Sequence, residues 1–109
     1  MALLATQQIQ QAGLVPALAA ASGGGDTFEP GDHVFLHVKN ADSGPHTVTI
    51  VTTATEFGQP VADLAVVVAA GTERLIGPLI DAEFNDPSAG VGSITYSAVT
   101  SVTVGVFSI

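Results

Sequence analysis

The run His33-Val34-Phe35-Leu36-His37-Val38-Lys39, the loop Asn40-Ala41-Asp42-Ser43-Gly44-Pro45 and the run His46-Thr47-Val48-Thr49-Ile50-Val51-Thr52-Thr53 decide the fold. Val34, Leu36 and Val38 alternate with His33, Phe35, His37 and Lys39, and a period of two places each set on its own face of a β-strand. Val48 and Ile50 alternate in the same way with Thr47, Thr49 and Val51. The polar, Gly/Pro-marked loop between the runs turns the chain back.

Further strands follow downstream. Leu64–Ala69 is a short β-branched run, closed by Ala70-Gly71-Thr72 before Glu73–Ile76. Ile80–Asn85 reads as one helical turn, stopped by Asp86-Pro87. Val91–Ser97 and Val102–Ile109 are joined by Ala98–Ser101, a link short enough for a hairpin. Six to seven short strands at this spacing predict an all-β fold, an antiparallel sandwich or barrel of Ig-like type. No helical pattern exceeds two turns, which argues against a βαβ arrangement. In the last run Val102, Val104 and Val106 share one face while Phe107 and Ile109 share the other. Gly105 between them reads as a bulge.

Residues 1–25 differ in character. They are uncharged and rich in Ala, Gln and Gly. Thr6 as N-cap, Gly13 as C′ residue and Pro16 beyond frame a helix of about one and a half turns. So short a helix does not persist alone in water. Ser22-Gly23-Gly24-Gly25 reads as a flexible joint to a sandwich domain spanning residues 26–109. The expectation is an extended arm that docks Leu3, Leu4, Ile9, Leu14 and Val15 on a partner, with Phe107 and Ile109 of the last strand as a subunit contact. The alternative is an arm folded back over its own sandwich. The opening lacks the positive n-region of a signal peptide, and Gln7, Gln8, Gln10 and Gln11 interrupt its apolar stretch, so an exported precursor is not expected.

Composition narrows the function classes. The 109 residues suit one domain. Their apolar share is 47% and only 11% are charged, which leaves apolar surface for a partner or a second copy to cover. The net charge of −8, with Lys39 and Arg74 as the only Lys or Arg, disfavours nucleic acid and anionic membranes. The longest apolar run, Leu64–Ala70, is far shorter than a membrane helix. No cysteine is present, so neither disulfides nor thiolate chemistry enter.

Catalytic and metal constellations are not expected. His33 and His37 lie four apart on one strand, about 13 Å from each other, too far to share one metal ion. His46 opens the next run and could approach one of them across a ladder. The pairs Asp81/Glu83 and Glu29/Asp32 read as solvated turn carboxylates. No nucleophile elbow, phosphate loop or calcium loop is found. The chain therefore reads as a non-enzymatic binding protein without cofactors.

Two resemblances bear on this reading. Phe28-Glu29-Pro30-Gly31-Asp32-His33-Val34, then Asn40, then Gly44-Pro45-His46-Thr47-Val48 resembles the opening half of a cupredoxin, in which a histidine at the His46 position is a copper ligand. The resemblance implies further ligands, a cysteine and a histidine near the C-terminus, that this sequence lacks. It thus implies sandwich topology without the copper site. The second resemblance covers nearly the whole chain: "AGLVPALAAASGGGDTFEPGD", "FLHVKN", "VVVAAGTERLIGPL", a turn with "NDP", and "ITYSAVTSVTVGVFSI". In this order they resemble small head proteins of tailed bacteriophages, chiefly those infecting actinobacteria. The resemblance implies a capsid decoration protein, made in the bacterial cytoplasm and located on the virion surface. It implies the major capsid protein as partner and a homo-oligomer, with a trimer favoured. A head–tail connector, completion or tail component, and a bacterial extracellular adhesion module, are the alternative readings.

Overall fold

The computed structural model describes residues 2–53, 55–60, 62–80, 84 and 90–109. The fold is an all-β sandwich of two five-stranded sheets. Twelve strand segments run in chain order: β1 (Ala2–Leu3), β2 (Thr6–Gln8), β3 (Ala19–Ala20), β4 (Asp26–Phe28), β5 (Val34–Asn40), β6 (His46–Ile50), β7 (Thr55–Glu56), β8 (Gln59–Pro60), β9 (Leu64–Val68), β10 (Glu73–Ile76), β11 (Gly92–Tyr96) and β12 (Val102–Ser108). Sheet A has the order β1-β4-β11-β6-β9. Sheet B has the order β10-β5-β12-β2, with β3 also on β12, and β7 and β8 form a separate hairpin. The six strands of four residues or more are the six runs the period-two pattern marks. The other six, of two or three residues each, raise the count above the expected six to seven, being too short to carry a pattern.

Alternation sets the core. Val34, Leu36 and Val38 of β5 and Val102, Val104 and Val106 of β12 face Phe28, Ile94, Val48, Ile50 and Val68 of sheet A, all buried. Burying each such side chain contributes about 1.5–3 kcal/mol. The β5–β12 ladder runs unbroken from Val102 opposite Asn40 to Ser108 opposite Val34. Gly105 therefore sits in register opposite His37 and marks no bulge. Of the expected helical turn at Ile80–Asn85, the Phe84 amide donates to the Ile80 carbonyl at 3.1 Å. The remainder, with Asp81 and Glu83, lies outside the described residues.

The N-terminal segment departs furthest from expectation. Thr6–Gln8 is not helical but pairs in parallel with Val106–Ser108, and Ala19–Ala20 pairs antiparallel with Thr103–Val104. Ala2–Leu3 pairs in parallel with Asp26–Thr27, so the sandwich is mixed and residues 2–25 are built into both sheets. The free edge of β12 offers ladder bonds that a turn and a half of helix cannot match. The expected division at residue 25 is replaced by one body. Nor is Ser22–Gly25 a loose joint. Gly25 donates to the Ser22 carbonyl at 2.9 Å, has φ +93°, and would bring a Cβ within 2.6 Å of the Ile94 carbonyl oxygen. Only glycine fits there.

Two buried polar side chains secure the core's rim. Asn40 Nδ2 donates to the Gly44 carbonyl at 2.9 Å and to the Val68 carbonyl at 3.0 Å, while its Oδ1 accepts from the Asp42 amide. It thereby ties β5 of sheet B to β9 of sheet A. Asp26, wholly buried, accepts from the Tyr96 hydroxyl at 2.7 Å and from the Ser22 amide at 3.2 Å. Burial, and next the bond to Asp26, push the Tyr96 hydroxyl well above its ordinary range.

Tyr96 is the sole tyrosine and the chain has no tryptophan. Near-ultraviolet tyrosinate absorbance therefore reports it alone. A raised folded-state pKa means its stabilisation is full below about pH 10 and is lost as pH rises beyond that. The absorbance should rise only together with loss of β-sheet circular dichroism. A reversible titration near pH 10 in the folded protein contradicts the assignment. Deletion of residues 1–22 removes Leu4 and Ala21 from the core and strips β12 of its outer partners, so the melting temperature should fall by about 10 °C or more. A truncated chain with the full-length melting temperature would show that the segment is not part of the fold.

Candidate interaction surface

The outer face of sheet B carries the most distinctive surface of the molecule. Phe35 of β5 and Phe107 of β12 stack there with ring centroids 5.8 Å apart, and the His37 ring lies 6.1 Å from Phe107. Residues 9–18 cross this face. The Gln7 side chain clamps the crossing, donating Nε2–H to the Ala17 carbonyl at 2.7 Å and accepting the Ala17 amide at 2.9 Å. A cleft of about 280 Å³ remains between the crossing and the stack, bordered by Ile9, Leu14, Pro16, Phe35, His37 and Phe107 among others. Gly105 explains the close approach. A Cβ there would stand 2.9 Å from Leu18 Cδ2 and 3.0 Å from the Ala17 carbonyl oxygen.

The expected partner-binding residues do not form one surface. Ile9, Leu14 and Phe107 come together in the cleft. Leu4 and Phe107 are buried, at 8% and 3% exposure, within this same chain; the expectation that they face a partner is therefore corrected. The reason is that the arm's strands deliver Leu4 into the core and lay residues 9–18 over Phe107. Leu3, Val15 and Ile109 are exposed but lie outside the cleft, and the Ile109 amide bonds the His33 carbonyl at 3.1 Å. Sequence reasoning passed over Phe57, 97% exposed at the tip of the β7–β8 hairpin, and over Val67 and Leu75 on exposed strand positions. Phe57 and Gly58 have φ of +52° and +77°, the geometry of a two-residue type I′ turn.

The histidines do not converge. His33 is exposed before β5, and His37 Nε2 lies 3.2 Å from Glu73 Oε2. His46 stands on β6 of the opposite sheet, so it does not meet the other two across a ladder, and its Nε2 lies 2.9 Å from Asp42 Oδ2. The Ser43 amide, and then His46, hold the Asp42 carboxyl below the usual carboxylate range. Stability from Asp42 is thus present above its ordinary pKa and is lost as pH falls below it. Among the described residues no group of three His, Asp or Glu side chains is placed to hold a metal ion. No family model, curated protein or solved structure matches this chain.

The cleft's geometry generates its own test. Gly105→Ala should lower stability by about 1–3 kcal/mol through overpacking against Leu18 and Ala17. Gly44→Ala, where a Cβ meets nothing within 4 Å, is the matched control. Equal melting temperatures for the two variants would mean that residues 17–18 do not rest on β12.

Proposed function

We propose that this chain is a non-enzymatic virion structural protein, a decoration protein that binds the major capsid protein lattice on its outer surface. The observation that carries the reading is the surface. Leu3, Ile9, Val15, Phe57, Val67, Leu75 and Ile109 are each more than 40% exposed on a chain with a net charge of −8. Singly scattered apolar side chains are ordinary on a protein surface; what supports docking here is their number on a chain of which only 11% is charged. The negative field suits an outer capsid face and opposes contact with packaged DNA. The likeness to phage head proteins adds the partner's identity. A protein of this kind also associates with copies of itself, which accounts for an apolar share that one small domain does not hide.

Purified particles of the phage encoding the chain decide the matter. The expected result is that the chain copurifies at a fixed ratio to the major capsid protein, and that a virion map places it on the outer shell. Its absence from gradient-purified particles, or a position in the tail, overturns the proposal.

A further inference from the structure

We infer that β9, an edge strand of sheet A with no partner on its outer side among the described residues, pairs antiparallel with β9 of a second copy about a two-fold axis, making one continuous ten-stranded sheet. This inference rests on the fold alone and holds whether or not the capsid reading does.

The backbone determines which groups face outward. In β6, Thr47 and Val51 turn toward β11: the Ser97 amide donates to the Thr47 carbonyl at 2.9 Å, and the Val51 amide donates to the Ser93 carbonyl at 3.0 Å. Backbone direction alternates along a strand, so His46, Val48 and Ile50 turn toward β9. Their partners in register are Val68, Val66 and Leu64. Ala65 and Val67 consequently aim both their N–H and their C=O groups away from the sheet. Among the described residues no other strand pairs with that side.

This edge is unguarded where the others are protected. Exposed edges are normally blunted by charge, proline, bulges or shortness. At β10, the edge of sheet B, Glu73 and Arg74 stand exposed, while β1, β2 and β3 have only two or three residues. Leu-Ala-Val-Val-Val in β9 has five residues without charge, proline or glycine. Its inward side is also incompletely covered, falling from buried Val68 through partly buried Val66 to Leu64 at 38% exposure.

A second copy fits that edge by self-complementarity. Centred on Val66 opposite Val66, the register sets Ala65 against Val67 twice, so all four outward backbone groups on each copy find partners. Leu64 then lies opposite the buried end of the other copy's strand, and Val66 packs on Val66 across the axis. Electrostatics favours the same place. Two chains of charge −8 repel, but between Gly58 and Thr72 the only charged residue is Asp63, and this register sets it opposite Ala69. Antiparallel self-pairing is isologous and closes at two, in contrast to the threefold association that the phage resemblance implies.

The test combines light scattering with amide hydrogen exchange across the protein's soluble range. Wild type should show twice the chain mass of 10.9 kDa, with slow exchange at Ala65 and Val67. Val67→Pro removes only an outward-facing donor, a position where an edge strand tolerates proline, and should yield a folded monomer. Val67→Lys supplies the edge charge that β9 lacks and should do the same, with the Ala65 amide now exchanging freely. Should the proline variant unfold, the lysine variant decides. A wild-type monomer or trimer, a dimer whose Ala65 and Val67 amides exchange freely, or a Val67→Lys protein that remains dimeric overturns the inference.

Discussion

The seven-residue ladder between β5 and β12 is the constraint on which the rest of the structure depends. Its inner face supplies six buried side chains to the core, and its two flanks receive β10 on one side and the N-terminal segment on the other. It is also a long-range contact, since Val34 and its partner Ser108 are 74 positions apart. Closing so large a loop costs entropy before any contact rewards it, so this pairing cannot nucleate locally. The ladder must therefore be specified by side chains rather than by a tight turn. A slip of one residue would turn Phe35, His37 and Lys39 inward and expose Leu36 and Val38, which is strong discrimination from pattern alone.

The buried polar groups sharpen that specification. Asn40 lies at the end of the β5 pattern where a further valine would also have satisfied the alternation. Instead its amide reaches the Val68 carbonyl in the opposite sheet and the Gly44 carbonyl in the following loop. A valine would leave the buried Val68 carbonyl without this donor, at about 1–3 kcal/mol. Asp26 and Tyr96 play the corresponding part between β4 and β11. Among the described residues no buried side-chain nitrogen or oxygen lacks a hydrogen-bond partner. A satisfied polar network fixes one arrangement where apolar contacts alone tolerate several.

The long strands were legible because burial on one face writes a period of two into the sequence. Glu73–Ile76 falls on the expected residues, Val34–Asn40 is shifted by one position at each end, and Leu64–Val68 stops one position short. The N-terminal segment was not legible, since strands of two or three residues carry no period. Their assignment comes from the open edge of β12, a tertiary fact that local propensity does not contain. Gly25 and Gly105 illustrate the same loss of information. The neighbours of each mark a joint or a bulge, yet each is required by another segment's backbone or side chain lying against it. At the interaction surface, the sequence showed β12 to be apolar on both faces. It could not show that the second face is covered from within, because nothing local links Gln7 to Ala17 or Leu18 to Gly105.

That internal cover governs how the surface behaves toward other molecules. Phe107 and the outer edge of β12 are already covered by residues 2–21. A partner competing for them must first displace Leu4 and Ala21 from the core and break the two Gln7–Ala17 bonds. Short strands with few buried contacts have low local stability, so the segment opens more readily than the β5–β12 ladder. Opening nevertheless costs at least the burial of Leu4, about 1.5–3 kcal/mol, which subtracts directly from any affinity gained there. Surfaces that are exposed in the closed fold carry no such cost. Leu64, Val67 and Leu75 lie on the β9 and β10 edge strands, and Phe57 at the tip of the separate β7–β8 hairpin. For equal apolar area, association is therefore favoured at the β9–β10 side over the face the N-terminal segment covers. By covering it, the segment takes that face out of the competition.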